Sequence, residues 1–153
     1  MYFFDTNVFS TLGYYYRSQF PTIWGRLDAL VTEGNLYSVR EVLRELERYN
    51  ASADINSWIK SNKRIFLMPT DAEIRIVTEI MNNTEYRSLV ARKKIRKGDP
   101  VADPFLIAAS KSRNGLLVTQ EKDEGMRIPR VCRDLNVRCI NLEVFLNIEG
   151  LKF

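Results

Sequence analysis

Four acidic residues lie where an α/β domain carries catalytic or metal-binding side chains. Asp5 directly follows an apolar run at residues 2–4, and Glu121 follows a second apolar run. Glu45 lies within a helix-like segment, and Asp103 begins another. Ligand sites in open parallel sheets form at the carboxyl ends of the strands. Carboxylates crowded there repel one another unless a cation is bound, so the pattern indicates an acidic metal site.

Mg²⁺ and Mn²⁺ suit such a site because both prefer oxygen ligands, and Mg²⁺ keeps several waters while taking one or two carboxylates. Ions held in this way can orient a phosphodiester, activate a water and stabilise the leaving oxygen. The chemistry that the four acids favour is therefore phosphodiester cleavage. Periodicity alone does not establish that the acids converge.

Each acid also has a simpler explanation. Asp5 and Asp103 both precede helical segments and could be N-caps, Asp103 with a proline after it. Glu45 lies one turn after Glu41 on a charged helix, which is typical of a solvated face with ion pairs. Glu121 follows a strand, where charged loops are common.

The elements that must position these acids alternate between strands and helices. Short apolar runs bounded by turn residues predict strands at about 1–4, 36–39, 65–68, 116–118 and 137–140. Helical patterns lie between them at about 21–33, 40–49, 72–82, 85–95, 103–112, 129–135 and 142–148, with further helices from about residue 6 and through Ile55. This alternation predicts a three-layer α/β/α fold with a central parallel sheet. Residues 1–153 are expected to form a single domain with its own core.

The absence of histidine narrows the chemistry. With no histidine among 153 residues, Ser-His-Asp and Cys-His catalysis and most zinc sites are excluded. The two cysteines, Cys132 and Cys139, are too few for a disulfide framework, and we expect them to be small buried hydrophobes. No apolar stretch approaches the roughly 18 residues of a membrane span, and no cationic signal segment opens the chain, so we expect a cytoplasmic protein.

The charge balance favours a polyanionic partner. The net charge is +4, from 23 basic and 19 acidic residues. Without the four acids above, 15 acidic residues remain, and the net charge of the rest of the chain is +8. Such a basic body suits a nucleic acid held by its phosphates, although many soluble proteins are mildly basic without binding one. Tyr14, Tyr15 and Tyr16 include one candidate for base stacking or partner docking, and we expect the other two to pack. The densest basic cluster, a candidate RNA-binding segment, comprises Arg92, Lys93, Lys94, Arg96 and Lys97.

The order of these contexts along the chain resembles the PIN-domain ribonucleases, within them the toxin-like branch of toxin–antitoxin pairs. The resemblance is specific at the first and third segments and spans most of the chain, except that roughly residues 50–98 match only in helical character. The four segments are Phe4-Asp5-Thr6-Asn7, Val42-Leu43-Arg44-Glu45-Leu46, Ala102-Asp103-Pro104-Phe105-Leu106-Ile107-Ala108 and Val118-Thr119-Gln120-Glu121.

The resemblance implies a metal-dependent endoribonuclease with Mg²⁺ or Mn²⁺ at the four acidic positions. A metal-activated water would cleave the RNA and leave 5′-phosphate and 3′-hydroxyl ends, with a second ion or a bound water supporting the leaving oxygen. A cognate antitoxin protein would cover the site, and the family also allows a homodimer. The implied catalytic residues are Asp5, Glu45, Asp103 and Glu121; Asp123 is an alternative metal ligand, and Thr6, Asn7 and Asp99 support the site.

The fourth acidic position departs from the family. Glu121 stands where the family usually has aspartate, while Asp123, two residues later, also lies where members carry an acid. The sequence leaves open which of the two completes the site.

Other function classes fit less well. A haloacid-dehalogenase-like phosphatase wants a second aspartate where Asn7 stands, and a dinucleotide-binding domain wants a glycine-rich first turn. A receiver domain needs an acidic pair that the chain lacks. Two rivals remain: a catalytically weak PIN-like module that binds RNA or a partner, and an RNA-processing or DNA nuclease without a toxin role.

Overall fold

A parallel five-stranded sheet forms the centre of the molecule. The computed structural model describes residues 1–49, 51–91 and 101–151. The sheet order is β3-β2-β1-β4-β5, and every neighbouring pair is parallel. The strands are β1 Tyr2–Phe4, β2 Leu36–Val39, β3 Phe66–Leu67, β4 Leu116–Val118 and β5 Arg138–Ile140.

Helices separate the strands, and in the described residues they closely follow the predicted pattern. They are α1 Thr6–Leu12, α2 Pro21–Thr32, α3 Arg40–Arg48, α4 Ala53–Ser61, α5 Asp71–Asn82, α6 Arg87–Ala91, α7 Asp103–Ser112, α8 Ile128–Asp134 and α9 Leu142–Ile148. The three-layer α/β/α fold with a central parallel sheet is therefore confirmed.

Strand β1 lies in the middle of the sheet, which explains its unbroken apolar sequence. Tyr2 and Phe4 share one face, and both rings pack edge-on against Phe145 of α9, with centroids 4.9 and 5.0 Å away. Phe3 points to the opposite face and is also fully buried. A strand covered on both faces has no polar alternation, so its first polar residue marks its end. That residue is Asp5.

The strand register brings the loop ends together. Phe4 pairs with Val118 and Phe3 with Tyr37. Asp5 N donates a hydrogen bond to Val118 O at 3.0 Å, so the residues after β1 and β4 lie side by side. All five strands run in one direction, so the segments that follow them meet at one edge of the sheet.

Some boundaries differ from the sequence-based predictions. Strand β3 has two residues instead of four because Ile65 belongs to a 3₁₀ turn, Lys63–Ile65. The segment predicted as a helix over 85–95 begins with a 3₁₀ turn, Thr84–Tyr86, and continues as α6. The predicted loop at 97–100 lies outside the described residues. None of the helices in the described ranges is long and apolar enough to span a membrane.

Candidate active site

Asp5 lies at the centre of the sheet's carboxyl edge and is 1% exposed. It is the N-cap of α1, and its Oδ1 accepts a hydrogen bond from Thr6 N at 2.7 Å. Its Oδ2 accepts a hydrogen bond from Thr119 Oγ1 at 2.8 Å. Asp5 is thus a helix cap, as the simpler explanation suggested, and is also fixed in place by the neighbouring strand end.

Thr119 is the residue that the sequence did not single out. It is buried directly after β4, and its hydroxyl makes three hydrogen bonds. It donates to Asp5, and it accepts from Asn7 Nδ2 at 3.3 Å and from Glu121 N at 3.1 Å. A hydroxyl can donate one hydrogen bond and accept two, so the Thr119 hydroxyl makes all the hydrogen bonds it can. The only available signal was its equivalence to Asp5, since each directly follows a strand and those strands pair in the sheet.

Asn7, a residue predicted to support the site, joins the same hydrogen-bond network. Its Nδ2 donates to Thr119, and its Oδ1 accepts from Gln120 N at 2.9 Å. The Asn7 side chain therefore fastens the first turn of α1 to the loop after β4. Its effect on Asp5 passes through Thr119.

Glu45 reaches this edge from α3 and is 7% exposed. Thr6 Oγ1 donates to Glu45 Oε2, and Ala102 N donates to Oε1 at 3.4 Å. The carboxylate therefore lies between α1 and the start of α7. The solvated face proposed as the simpler explanation for Glu45 is wrong, because neighbouring elements cover the residue.

Asp103 is 1% exposed and lies next to the Ala102 amide that contacts Glu45. It is the first residue of α7, and the N-cap position belongs to Ala102, whose backbone is helical and whose side chain makes no capping bond. The interpretation of Asp103 as the N-cap is therefore wrong. Burial of a carboxylate in the first turn is compatible with the helix dipole, which favours negative charge there.

Glu121 and Asp123 occupy different environments. Glu121 is half-buried, and its Oε2 accepts a hydrogen bond from Ile128 N at 3.0 Å at the start of α8. Asp123 has a side chain that is 55% exposed and ion-paired with Arg133, which lowers the pKa of the Asp123 carboxyl. Glu121 contacts Thr119 through its backbone, whereas the contacts of Asp123 are at the surface.

The Cys132 thiol is buried beside Cys139. Its pKa is raised by a hydrogen bond with Cys139 and by burial, and the charges of Asp5 and Glu121 raise it further. Both cysteines are free, with Cys132 buried and Cys139 half-buried, so the expectation of a small buried residue fits Cys132 better.

Glu41 is a second buried acid on α3 that the sequence treated as surface. It is 3% exposed and lies one turn before Glu45 on the same helix face. Arg40 Nη2 donates to Glu41 Oε1 at 2.9 Å, while Oε2 has no hydrogen-bond partner in the ranges that the structure describes. The charged sequence of this helix is typical of a solvated face, so no sequence signal separated Glu41 from a solvated acid.

Several other predicted residues can now be placed. Tyr15 packs edge-on against Phe20 at 5.2 Å, whereas Tyr14 and Tyr16 are exposed, so the expectation that two of the three tyrosines pack is wrong. The supporting residue Asp99 lies outside the described residues. The same holds for the basic cluster of Arg92, Lys93, Lys94, Arg96 and Lys97.

The oxygen donors at this edge of the sheet are of the kind that bind a divalent cation. Buried carboxylates and hydroxyls at one sheet edge are the oxygen donors that Mg²⁺ and Mn²⁺ prefer. Over residues 1–49, 51–91 and 101–151, no group of three or more acidic, cysteine or histidine side chains is close enough to hold a metal ion together. Mg²⁺ needs only one or two protein carboxylates because waters complete its shell, so the donor chemistry fits such an ion.

Comparisons with known proteins were made for the whole sequence. The sequence model of a family described as "Domain of unknown function (DUF4411)" matches residues 2–153. The search of curated proteins gave no match.

Two solved structures are similar to this chain in fold. VapBC2 from Rickettsia felis, bound to a DNA fragment from their promoter, matches with a TM-score of 0.50 and 17% identity, over 92% of this chain and 97% of that chain. FitAcB from Neisseria gonorrhoeae matches with a TM-score of 0.51 and 16% identity, again over 92% and 97%. These likenesses show that the chain shares its overall fold with both structures.

Proposed function

This chain belongs to the family described as DUF4411, and we propose that it is a metal-dependent endoribonuclease, the toxin of a toxin–antitoxin pair. One observation carries the proposal. Asp5, Glu45 and the start of α7 at Asp103 come from separate elements and are linked at the carboxyl edge of the sheet by hydrogen bonds through Thr6 and Ala102. Burying carboxylates costs free energy that hydrogen bonds, ion pairs or a bound metal ion must offset, and a bound cation at this edge would supply such compensation.

Asp5, Glu45 and Asp103 would form the Mg²⁺ or Mn²⁺ site, one or two of them binding the ion directly and the others through its waters, with Glu121 preferred over Asp123 as the fourth acid. Glu121 is favoured because its backbone contacts Thr119, which bonds Asp5, whereas Asp123 is paired with Arg133 at the surface. When bound, the cation would supply charge neutralisation and an activated water for attack on phosphorus.

The protein's own residues would orient the carboxylates. Thr119 and the Thr6 amide each bond one oxygen of Asp5, which fixes the plane of that carboxylate. The Thr6 hydroxyl and the Ala102 amide each bond one oxygen of Glu45 and orient it in the same way. Such outer partners typically change metal affinity or activity by about 10–100-fold when they are removed.

The substrate and partners follow from charge and resemblance. A basic body, and a cluster at residues 92–97 immediately before the Asp103 helix, favour single-stranded RNA held by its phosphates. The family resemblance implies a cognate antitoxin protein over the site and self-association as a homodimer. Residues 1–153 would act as one nuclease domain.

The decisive experiment is cleavage of end-labelled RNA with Mn²⁺ or Mg²⁺, with EDTA as the metal-free arm. Asp5→Asn and Asp103→Asn should each reduce cleavage by roughly a hundredfold or more, since losing a ligand should cost at least as much as losing its outer partners. The products of the wild type should carry 5′-phosphates. Asp71→Asn, an exposed acid in the first turn of α5, is the matched control and should cleave normally.

The rival function is a PIN-like module that binds RNA or a partner without cutting. RNA binding that persists in EDTA, with no metal-dependent cleavage of varied RNAs by folded protein, would favour that module. Equal cleavage by wild type and Asp103→Asn would show that the site has been assigned wrongly. Cleavage of DNA in preference to RNA would point to a DNA nuclease instead.

A further inference from the structure

A groove of about 520 Å³ lies beyond the carboxyl ends of β4 and β5. Thr119 and Glu121 line it on the side toward the acidic site, and Thr119 is the residue that bonds Asp5. The groove thus adjoins the proposed cleavage site and shares Thr119 and Glu121 with it, while its remaining lining residues are separate. Its volume is in the range of sites that enclose small organic groups.

Two side-chain amides in the groove have fixed orientations. Gln120 Oε1 accepts a hydrogen bond from Leu142 N at 3.0 Å, and Asn141 Oδ1 accepts one from Val144 N at 2.9 Å. Both bonds cap α9, so the oxygen of each amide is committed to the protein. The NH₂ group of each amide has two N–H donors. Within the part of the chain that the structure describes, neither the Gln120 NH₂ group nor the Asn141 NH₂ group donates a hydrogen bond.

The charges that line the groove cancel. Lys122 and Arg133 are balanced by Glu121 and Asp123, and the Arg133 guanidinium is already paired with Asp123. A phosphate site would carry a surplus of cations, which this groove lacks. Part of its lining is apolar and comes from Val137, Cys139 and Ile140.

A neutral groove with an apolar wall and fixed amide donors suits an unstacked nucleobase. Proteins read single-stranded RNA by taking bases out of the stack, packing their faces and hydrogen-bonding their edges. Donors on the protein require acceptors on the base. Guanine offers O6 and N7, and uracil offers a carbonyl where cytosine carries an amino group, while adenine and cytosine each place an amino donor on the corresponding edge.

We propose that this groove, the β4–β5 groove, binds one guanine or uracil base of the RNA beside the cleavage site through Gln120 and Asn141. The proposal rests on the proposed function, since it supplies a base-reading subsite for the same RNA. It assigns sequence preference to side-chain amides that the acidic site does not use. Phosphate contacts are left to other parts of the surface.

The test is a titration of the full chain, in EDTA, with 5′-GMP, 5′-UMP, 5′-AMP and 5′-CMP, monitored by ¹⁵N-resolved NMR of the side-chain NH₂ groups. GMP and UMP should shift the Gln120 and Asn141 signals. AMP and CMP should bind roughly tenfold or more weakly, because their exocyclic amino group places a donor opposite an amide donor where guanine and uracil offer a carbonyl. Inorganic phosphate alone should leave both signals unmoved.

Isosteric variants isolate the donors. Gln120→Glu and Asn141→Asp retain the oxygen that caps α9 and replace the NH₂ donors with an acceptor, so the fold is preserved. Each should weaken GMP and UMP binding by about tenfold or more, measured through the backbone signals of Lys122 and Ile140. Asn147→Asp adds the same charge on α9 outside the groove and should bind all four nucleotides as the wild type does.

Three results would overturn the proposal: equal shifts with all four nucleotides, the same shifts with phosphate alone, or undiminished GMP and UMP binding by both groove variants. Because these measurements exclude metal and cleavage, their outcome is independent of the nuclease assay. A working nuclease with a silent groove would refute only the base-reading subsite. Base binding by a protein that never cleaves RNA would refute only the nuclease.

Discussion

Each buried carboxylate needs hydrogen-bond partners that offset the free-energy cost of removing it from water. Asp5 has a backbone amide and the Thr119 hydroxyl, and Glu45 has the Thr6 hydroxyl and the Ala102 amide. A buried polar atom left without a hydrogen bond costs about 1–3 kcal/mol, and Glu41 Oε2 has no such partner among the residues that the structure describes. Hydrogen bonding therefore fixes where the acids at this edge point.

Thr119 provides the first prediction at the residue scale. Thr119→Val keeps the shape of the side chain but removes the hydroxyl that orients Asp5 and receives Asn7. Cleavage and Mn²⁺ affinity should both fall by about 10–100-fold, and the free energy of unfolding by about 1–3 kcal/mol. Isothermal titration calorimetry with Mn²⁺ and urea unfolding provide the two readouts.

Thr119→Ser is the matched variant, because it restores the hydroxyl without the methyl group. It should recover most of the Mn²⁺ affinity, whereas a purely structural role would leave affinity unchanged in both variants. Wild-type Mn²⁺ affinity in Thr119→Val would rule out the positioning role of this residue.

At the scale of elements, the turn from α7 into β4 determines how closely β4 packs against Phe3 of β1. Asn114 takes a left-handed backbone with φ of 50°, and Gly115 follows it directly before β4. A Cβ atom built on Gly115 would lie 2.5 Å from two ring carbons of Phe3, which is fully buried on β1. The absence of a side chain at Gly115 therefore lets β4 lie against β1 in the register that joins Thr119 to Asp5.

Gly115→Ala should accordingly destabilise the fold by about 1–3 kcal/mol, since the Phe3 ring must move within a packed core. Gly25→Ala is the control: it lies inside α2 with no atom within 4 Å of the added Cβ, and should stabilise by about 0.5–1 kcal/mol through helix propensity. Urea unfolding of both variants measures the difference. A Gly115→Ala protein as stable as Gly25→Ala would show that the close approach of Phe3 carries no constraint.

At the scale of the whole molecule, an acidic sheet edge lies within a chain of net charge +4. Because the sheet is parallel, the residues just before β3 lie at the edge opposite the one that Asp5 occupies. Lys63 and Arg64 are there, on the 3₁₀ turn before β3. Charge at the two edges can therefore be altered separately.

We expect RNA binding in EDTA to weaken with salt through the basic cluster. Replacing Arg92, Lys93 and Lys94 by glutamine should lower the slope of log affinity against log salt by about 2, since each single-strand phosphate contact contributes about 0.7. Replacing Lys60, Lys63 and Arg64 by glutamine removes the same charge and should change the slope little. Fluorescence anisotropy with labelled RNA measures both, and equal slopes for the two triple variants would refute a localised phosphate track.

Much of the fold follows from local sequence. The unbroken run Tyr2–Phe4 predicts a central strand, and the run Leu116–Val118 predicts another, because both faces of such strands are covered. Turn residues and helical periodicity fix the helices between them to within a few residues. The identities of Asp5, Glu45 and Asp103 as the acids of the site come from the sequence and stay a prediction until they are tested.

Tertiary structure decided what lies beside what. Pairing of β1 with β4 made Thr119 the partner of Asp5, and packing against other elements buried Glu41 on a helix whose charge indicated a solvated face. Glu121 and Asp123 differ in their partners, because Glu121 accepts a hydrogen bond from the Ile128 amide and Asp123 pairs with Arg133. These outcomes could not be predicted from the sequence because they depend on register and on residues distant along the chain, whereas strand and helix formation depends on neighbours within a few positions.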